Sequence, residues 1–286
     1  MKKEMMQSFK RLLAFIPDKT YIKIYYYMKF KKRLNLKTPR TFSEKIQWLK
    51  LNDRKPIYSQ FVDKYEVREY IKEKIGEEYL VPIYGIWENF DDIDFNMLPN
   101  QFVLKCTHDS GGIVICKDKE NFNKIEAKKY IEKCLKNNFY YIAREWPYKN
   151  VKPRIIAEKY LESDRANGIV DYKFMCFNQK MKCCFACFDR DEKGHVLINI
   201  YDEKWNKMPF NRKGEGTNKI LEKPMHYEKM IQLAEKLSYG IPFARIDFYE
   251  INNKIYFGEI TLYPAGGFKK FEPEEYDKIL GEWLKL

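Results

Sequence analysis

Residues 244–261, ARIDFYEINNKIYFGEIT, read as a β-hairpin with acidic residues set into otherwise apolar strands. Strand alternation puts Arg245 and Asp247 on one face, and Ala244, Ile246 and Phe248 on the other. On the returning strand Glu259 and Thr261 share a face. A three-residue loop, Asn252 to Lys254, would set Ile251 opposite Ile255 and Asp247 opposite Glu259, with Cβ atoms about 4.5–5.5 Å apart. Two carboxylates at that separation repel unless a cation sits between them. Magnesium, a hard oxygen-seeking ion, suits them. A two-residue loop would slip the register by one and break the pairing. The plain alternative is an exposed hairpin with scattered charges. Against it stand the apolar neighbours Phe243, Ile246, Phe248, Tyr256, Phe257 and Ile260.

Upstream, QFVLKCTHDSGGIVICKD (101–118) predicts strand, turn, strand. Lys105 interrupts the first apolar strand, and the turn carries Ser110, Gly111 and Gly112. Two glycines in a tight turn let backbone N–H groups approach phosphate oxygens, and a strand lysine can reach the same group. Taken alone, the motif reads equally as a plain hairpin turn with a surface lysine. It is not a P-loop, because the G-x-x-x-x-G-K-[ST] spacing is absent. His108 reads as a turn residue rather than a base. Between the two hairpins lies KPRIIAEKYLES (152–163), a strand carrying Glu158 and Lys159 into a polar connector.

The whole chain has 286 residues, room for one large or two modest cores. Its net charge of +12 is local: residues 1–55 hold 16 Lys/Arg against 4 Asp/Glu, and the remainder is neutral. A basic domain built for nucleic acid is therefore not implied. The segment SFKRLLAFIPDKTYIKIYYYMKFKKRL (8–34) mixes lysines with apolar residues and is broken by Pro17. It reads either as a helical hairpin packed on the main domain, lysines outward, or as a surface for a membrane or an anionic glycan. No apolar run approaches the ~20 residues of a membrane span, and the apolar stretch near the start is too short for a signal peptide. Six of the seven cysteines sit in apolar, strand-like runs and read as reduced thiols. Cys184 and Cys187 lack the second pair a zinc site needs. The expectation is a cytoplasmic protein, with the inner face of the membrane as the place the basic segment could touch.

Spacing predicts a helix after Thr41 or Ser43, one helix over 58–75 ended by Gly76, a helix within 120–138 and another over 225–237. Predicted strands are 80–87, 101–106, 113–116, 154–161, 172–178, 181–189, 196–201, 243–251 and 254–262. Several adjacent pairs form hairpins, so the fold class is α+β with antiparallel sheets. The expected divisions are 1–57, a basic helical segment; 58–100, the entry to the main unit; 101–162, a small lid subdomain; and 163–286, a C-terminal subdomain with the metal site.

In order, Lys105 with Ser110-Gly111-Gly112, Glu158-Lys159-Tyr160-Leu161, Arg245-Ile246-Asp247, and Glu259-Ile260-Thr261 with Pro264 resemble the ATP-grasp superfamily. The wording of VDKYEVREYI, LPNQFVLKCTHDSGG, REWPYKNVKPRIIAEKYLE, DYKFMCFN, FGEIT and EEYDKILGEWLKL is similar to TupA-like ATP-grasp proteins of bacterial surface-polysaccharide clusters. The resemblance implies a nucleotide held between two antiparallel-sheet subdomains, with ATP and Mg2+ as cofactors. Lys105 and Lys159 would hold the nucleotide, and Ser110, Gly111 and Gly112 would cover its phosphates. Glu158 and the Leu161 backbone would meet adenine, and Glu162 or Asp164 the ribose. Arg245 and Lys173 would serve catalysis; Asp247, Glu259 and Thr261 would bind metal. Thr261 stands where the superfamily usually has asparagine, which weakens the third ligand. Arg68, Arg144, Lys173 and Arg190 are candidates for a substrate carboxylate, since guanidinium pairs bidentately with it.

The implied reaction joins a carboxylate, a uronic acid of a surface glycan or its precursor, to an amine through an acylphosphate. A kinase acting on a sugar hydroxyl is one rival. A glycosyltransferase is another, although no D-x-D with a suitable flank appears beyond Asp92-Ile93-Asp94, which falls in a loop.

Overall fold

Pro17 cannot donate a backbone hydrogen bond, and the first helix among the described residues starts directly after it: α1, Asp18–Phe30. The computed structural model describes residues 13–163, 168–190 and 196–286. α1 buries Tyr21, Ile22 and Tyr26 against the main body and leaves Ile24, Tyr27 and Met28 exposed. The described part of the 8–34 segment thus holds a packed helix; a second arm of a hairpin would fall in residues 1–12, outside the described residues.

α2 (Phe42–Asn52) opens with a capping box. The Thr41 hydroxyl accepts from the Glu44 N–H, and the Glu44 carboxylate accepts from the Thr41 N–H. α2 packs on the last helix of the chain, where the Asp277 carboxylate accepts from both the N–H and hydroxyl of Ser43 at 2.8 and 2.9 Å. The single helix expected over 58–75 is two, α3 (Ile57–Val62) and α4 (Val67–Lys74). Asp63 is the reason: its Oδ1 accepts from the N–H groups of Tyr65 and Glu66 at 2.8 and 3.3 Å, an alternative to the helical ladder.

The first sheet has four antiparallel strands: β1 (Ile83–Trp87), β2 (Phe102–Cys106), β3 (Ile113–Cys116) and β4 (Ile155–Lys159), in the order β1-β4-β2-β3. Phe102, Leu104, Cys106, Ile155 and Ala157 face a small core shared with Ala127 and Ile131 of α5 (Lys124–Leu135). Alternation sends Val103, Lys105 and Glu158 to the other face. A short helix, α6 (Tyr140–Ala143), follows α5.

The second sheet holds the larger core. Its strands are β5 (Asp171–Phe177), β6 (Lys180–Arg190), β7 (Val196–Tyr201), then, after the short β8 (Asn211–Arg212) and α7 (Tyr227–Leu237), β9 (Phe243–Ile251) and β10 (Lys254–Thr261). They run antiparallel in the order β10-β9-β5-β6-β7, and β8 pairs with β11 (Phe271–Glu272). α7 covers one face through Tyr227, Met230, Leu233, Ala234 and Leu237, and α8 (Tyr276–Trp283) closes the chain. All seven cysteines are buried free thiols. No described helix is long and apolar enough to cross a membrane.

The β9–β10 hairpin corrects one expectation and keeps its consequence. The loop has two residues: Lys254 pairs with Ile251, and Asn252 and Asn253 take the left-handed backbone (φ 49° and 58°) that suits a two-residue turn. That register alone would misalign the acids. A β-bulge at Gly258 adds one residue, so that Phe257 pairs with Phe248 but Glu259 pairs with Asp247.

Candidate active site

The cation between the two carboxylates is the chain's own. Arg245 Nε donates to Asp247 Oδ1 at 2.7 Å, and Nη2 donates to Asp247 Oδ2 at 2.7 Å and to Glu259 Oε1. From β5, one strand over, Lys173 Nζ donates to Asp247 Oδ2 at 2.6 Å and pairs with Asp171. The Thr261 hydroxyl donates to Glu259 Oε1 at 3.0 Å. Asp247 is 1% exposed and lies at the floor of this network.

Electrostatics follow the layout. Burial alone would raise the Glu259 carboxyl, but Arg245, Lys173 and Lys64 hold it down to about 2. Its side chain remains 44% exposed because it faces the cleft, although protein atoms crowd its base. Asp171 is pushed up to about 6 by burial, with Lys173 opposing and Asp247 reinforcing the rise. Arg245 and Lys173 are lifted above their ordinary values: burial opposes this, and the carboxylates, Asp247 first, overcome it.

Two cavities meet at Glu259. One, about 490 Å³, lies between the sheets and is lined by Lys105, Glu158, Lys159, Leu161, Tyr249 and Gly258 among others. Lys105 and Glu158, on neighbouring strands, pair with each other along one wall of this cavity. Val81, Ile113 and Ile115 give it apolar walls, as expected of a site for a ring-bearing ligand. The other, about 370 Å³, has Arg245, Glu259, Thr261 and Ser110 at its inner end. The glycine turn sits between the two. Asp109 Oδ1 accepts from the Gly112 N–H at 3.0 Å, Tyr130 donates its hydroxyl to the Gly111 carbonyl at 2.7 Å, and Lys64 pairs with the Asp109 carbonyl.

The residues singled out by sequence therefore divide. Lys105, Glu158, Lys159, Leu161 and Arg68 line the first cavity; Ser110, Arg245 and Thr261 line the second; Glu259 lines both. Arg68 donates to the Val81 carbonyl at 2.9 Å. Lys173 acts from below, through Asp247. Glu162 is exposed and lines neither cavity. Arg144 does not join them: it is fully buried, its guanidinium lies 4.3 Å from the Tyr21 ring centroid, and it donates to the Leu13 carbonyl at 2.7 Å. It anchors α1. Asp164 and the side chain of Arg190 lie outside the described residues.

Sequence reasoning missed Lys64, Tyr249 and Glu145. Lys64 and Glu145 fall within VDKYEVREYI and REWPYKNVKPRIIAEKYLE, two stretches whose wording carries the resemblance, so the signal was present but unassigned. Among the described residues no group of three His, Cys, Asp or Glu is arranged to hold a metal ion. Glu259, Asp247 and the Thr261 hydroxyl are hard oxygen donors of the kind magnesium takes. They are too few to enclose it, and Asp247 is already engaged by Arg245 and Lys173. They fit magnesium only as one side of a shell that phosphate oxygens and water complete.

No curated protein matches the sequence. Among solved structures, D-alanine–D-alanine ligase from Helicobacter pylori is similar at 14% identity and a TM-score of 0.44, over 85% of this chain and 69% of that one. The D-cycloserine synthetase DcsG is similar at 13% identity and a TM-score of 0.42, over 80% and 72%. The Bacillus anthracis D-alanine–D-alanine ligase complexed with ATP gives 14% identity and a TM-score of 0.41, and this chain spans 54% of its length. The sequence model of the TupA-like ATP-grasp family matches residues 44–285, from the capped helix α2 through both sheets to the final helix, and the chain belongs to that family.

Proposed function

We propose that the chain is an ATP-dependent carboxylate–amine ligase that forms an amide through an acylphosphate and releases ADP. The observation that carries this reading is the meeting of two cavities at Glu259, with Arg245 at the junction and the glycine turn above it. The larger cavity suits the nucleotide. Lys105 and Lys159 reach its phosphates, Glu158 and the Leu161 backbone meet the adenine edge, and Ser110, Gly111 and Gly112 cover the terminal phosphates. Asp247, Glu259 and Thr261 would hold magnesium on its phosphate side, and the ion, when bound, neutralises phosphate charge.

Little covalent chemistry is asked of the protein. Arg245, fixed by two carboxylates, presents a cation whose orientation is set before the phosphoryl group moves. Lys173 holds the Asp247 carboxylate in place. Ser110 and Thr261 offer hydroxyls at the inner end of the smaller cavity, where the acceptor carboxylate meets the nucleotide. The TupA-like wording supports a uronic acid of a bacterial surface polysaccharide, or its precursor, as that carboxylate. We place the reaction in the cytoplasm. Exposed Ile24, Tyr27 and Met28 beside the lysines of α1 suit contact with the inner face of the membrane or an anionic glycan.

The test is ADP release from magnesium and ATP, screened over uronic acids paired with amines. Release that requires both, with an amide as product, is expected. ADP and a phosphorylated sugar accumulating without any amine would make the protein a kinase. Protection from thermal unfolding by a UDP-sugar but not by ATP would make it a glycosyltransferase.

A further inference from the structure

The smaller cavity contains a carboxylate that the reaction so far leaves without a task. Glu145 follows α6 and is 5% exposed, yet its side chain lines this cavity and accepts no hydrogen bond from any described residue. Lys50, fully buried nearby, does not satisfy it. Its ammonium donates instead to the carbonyls of Ala143 at 2.8 Å and Gly266 at 2.9 Å. Those bonds tie the α6 end to the turn Pro264–Gly267, where Ala265, Gly266 and Gly267 all have positive φ (51°, 63° and 69°). A Cβ on Gly266 would stand 2.6 Å from the Ala143 Cβ and 3.5 Å from Glu145 Oε1, so the bare glycine lets the turn close against the carboxylate. A carboxylate set into a cavity wall with no donor among the described residues is open to a ligand that can donate to it.

The rest of the wall says what kind of ligand. Tyr148, Tyr263, Phe139 and Phe268 surround the cavity, and aromatic faces attract ammonium groups. Its outer side is built by α1: Tyr25 packs edge-on against Phe268 with centroids 4.5 Å apart, and Lys29 stands at the rim opposite Lys269. Lys269 also pairs with Glu215. Negative charge at the base and positive charge at the rim describe a ligand of opposite polarity.

We infer that this cavity seats the attacking amine as a primary ammonium at the Glu145 carboxylate, ringed by aromatic side chains, with an anionic group at the ligand's far end held by Lys29 and Lys269. The inference rests on the ligase reading and gives the basic helix α1 a part in substrate selection. Burial raises the Glu145 carboxyl to about 7, against the pull of Lys50 and Arg245, so it can also take up a proton. The balance is complete. Of the three ammonium hydrogens one stays on the amide nitrogen. One leaves for solvent through Glu145 before the C–N bond forms, freeing the nitrogen lone pair, and one reaches the departing phosphate as the acyl C–O bond breaks.

The test is thermal unfolding of the full chain with magnesium and ADP, titrated with β-alanine, phosphoethanolamine, ethanolamine and acetate. β-Alanine or phosphoethanolamine, which differ in the anion, should raise Tm by about 2–4 °C near saturation. Ethanolamine should do less, and acetate nothing. Glu145→Gln should abolish the amine shifts and keep the ADP shift. Lys29→Ala, on the rim, should erase the advantage of the anionic amines over ethanolamine, which keeps the test alive if Glu145→Gln fails to fold. Amine shifts undiminished in Glu145→Gln, an acetate shift equal to that of the amines, or no shift with any amine would each overturn the inference. Loss of the ADP shift in the wild-type protein would count against the ligase reading itself, separately from the amine result.

Discussion

Two hairpins face each other across the nucleotide cavity, and they are finished in opposite ways. β9–β10 is dense with charge: Arg245, Asp247 and Glu259 bond to one another, Lys173 braces them from β5, and Gly258 is packed so tightly that a Cβ would lie 3.1 Å from the Asp247 carbonyl oxygen. β2–β3 ends in open backbone. Ser110 and Gly111 are exposed, and nothing lies within 4 Å of where a Gly111 Cβ would be. One hairpin holds charges that must not reorganise while a phosphoryl group moves; the other offers N–H groups that must close over a ligand and let it go. Five substitutions can break or sharpen this contrast.

The largest effect belongs to Asp247→Asn. The amide cannot accept as a charge from both Arg245 and Lys173, and two buried cations lose their shared counter-ion. Removing one member of a buried ion pair costs about 3–5 kcal/mol. Urea denaturation should show a loss of that order, and ADP release should fall by roughly 10²–10³-fold, the scale of a lost preorganised electrostatic contact. A variant of unchanged stability and near-normal turnover would mean that the fixed hairpin is not where charge is held.

Gly258→Ala comes next. Its Cβ would approach both the Asp247 carbonyl oxygen and Tyr249 Cε2 at 3.1 Å, so the bulge must shift. Overpacking of this kind costs about 1–3 kcal/mol. Because the bulge alone aligns Glu259 with Asp247, ADP release should fall along with stability. Stability lost without any change in turnover would separate the bulge from the site.

That bulge also shows how far the sequence could be read. The alternation of Arg245, Asp247, Glu259 and Thr261 among apolar residues was legible, because period-two burial is a local property of strands. The loop length was not. Asn252-Asn253 as a left-handed pair and Gly258 as a bulge are two compensating features, and either one alone would have given the wrong pairing. The break at Asp63 was hidden for a similar reason: a side chain competing with a helix leaves the apolar spacing of 58–75 intact. Strand boundaries around the glycine turn came through well, since Lys105 and the two glycines punctuate an otherwise apolar run. Arg144 and Glu145 show the opposite limit. They are neighbours of opposite charge, one locked under α1 and the other lining a cavity, and only the left-handed backbone at Arg144 (φ 57°) sends them apart.

Gly111→Ala repeats the Gly258 substitution on the open hairpin and should behave differently. No neighbour resists the added methyl; the cost is the backbone, φ 142°, which an L-residue adopts with strain of about 1 kcal/mol. Stability should fall by that strain alone, less than at Gly258, while the KM for ATP rises, because the turn no longer presents its N–H groups in the same way. An equal loss of stability at Gly111 and Gly258 would erase the distinction between the two hairpins.

The smallest effect is a slope. Glu259 is held near 2 when folded, well below its ordinary value of 4.5, by Arg245, Lys173 and Lys64 acting against burial. A depressed carboxyl stabilises the fold above its unfolded pKa. As pH falls from about 4.5 towards 2 the unfolded chain takes the proton first, and the contribution disappears. Because the side chain is 44% exposed, solvent screening limits its worth to about 1 kcal/mol or less. The stability difference between the wild-type protein and Glu259→Gln should therefore be greatest above pH ~5 and shrink through this window. Ser110→Ala, on the open hairpin, removes no titrating group and should leave the acid limb of the wild-type curve in place. If Glu259→Gln ran parallel to wild type across the same window, the carboxylate would have no net hold from its cations, and the charge on the fixed hairpin would rest on Asp247 alone.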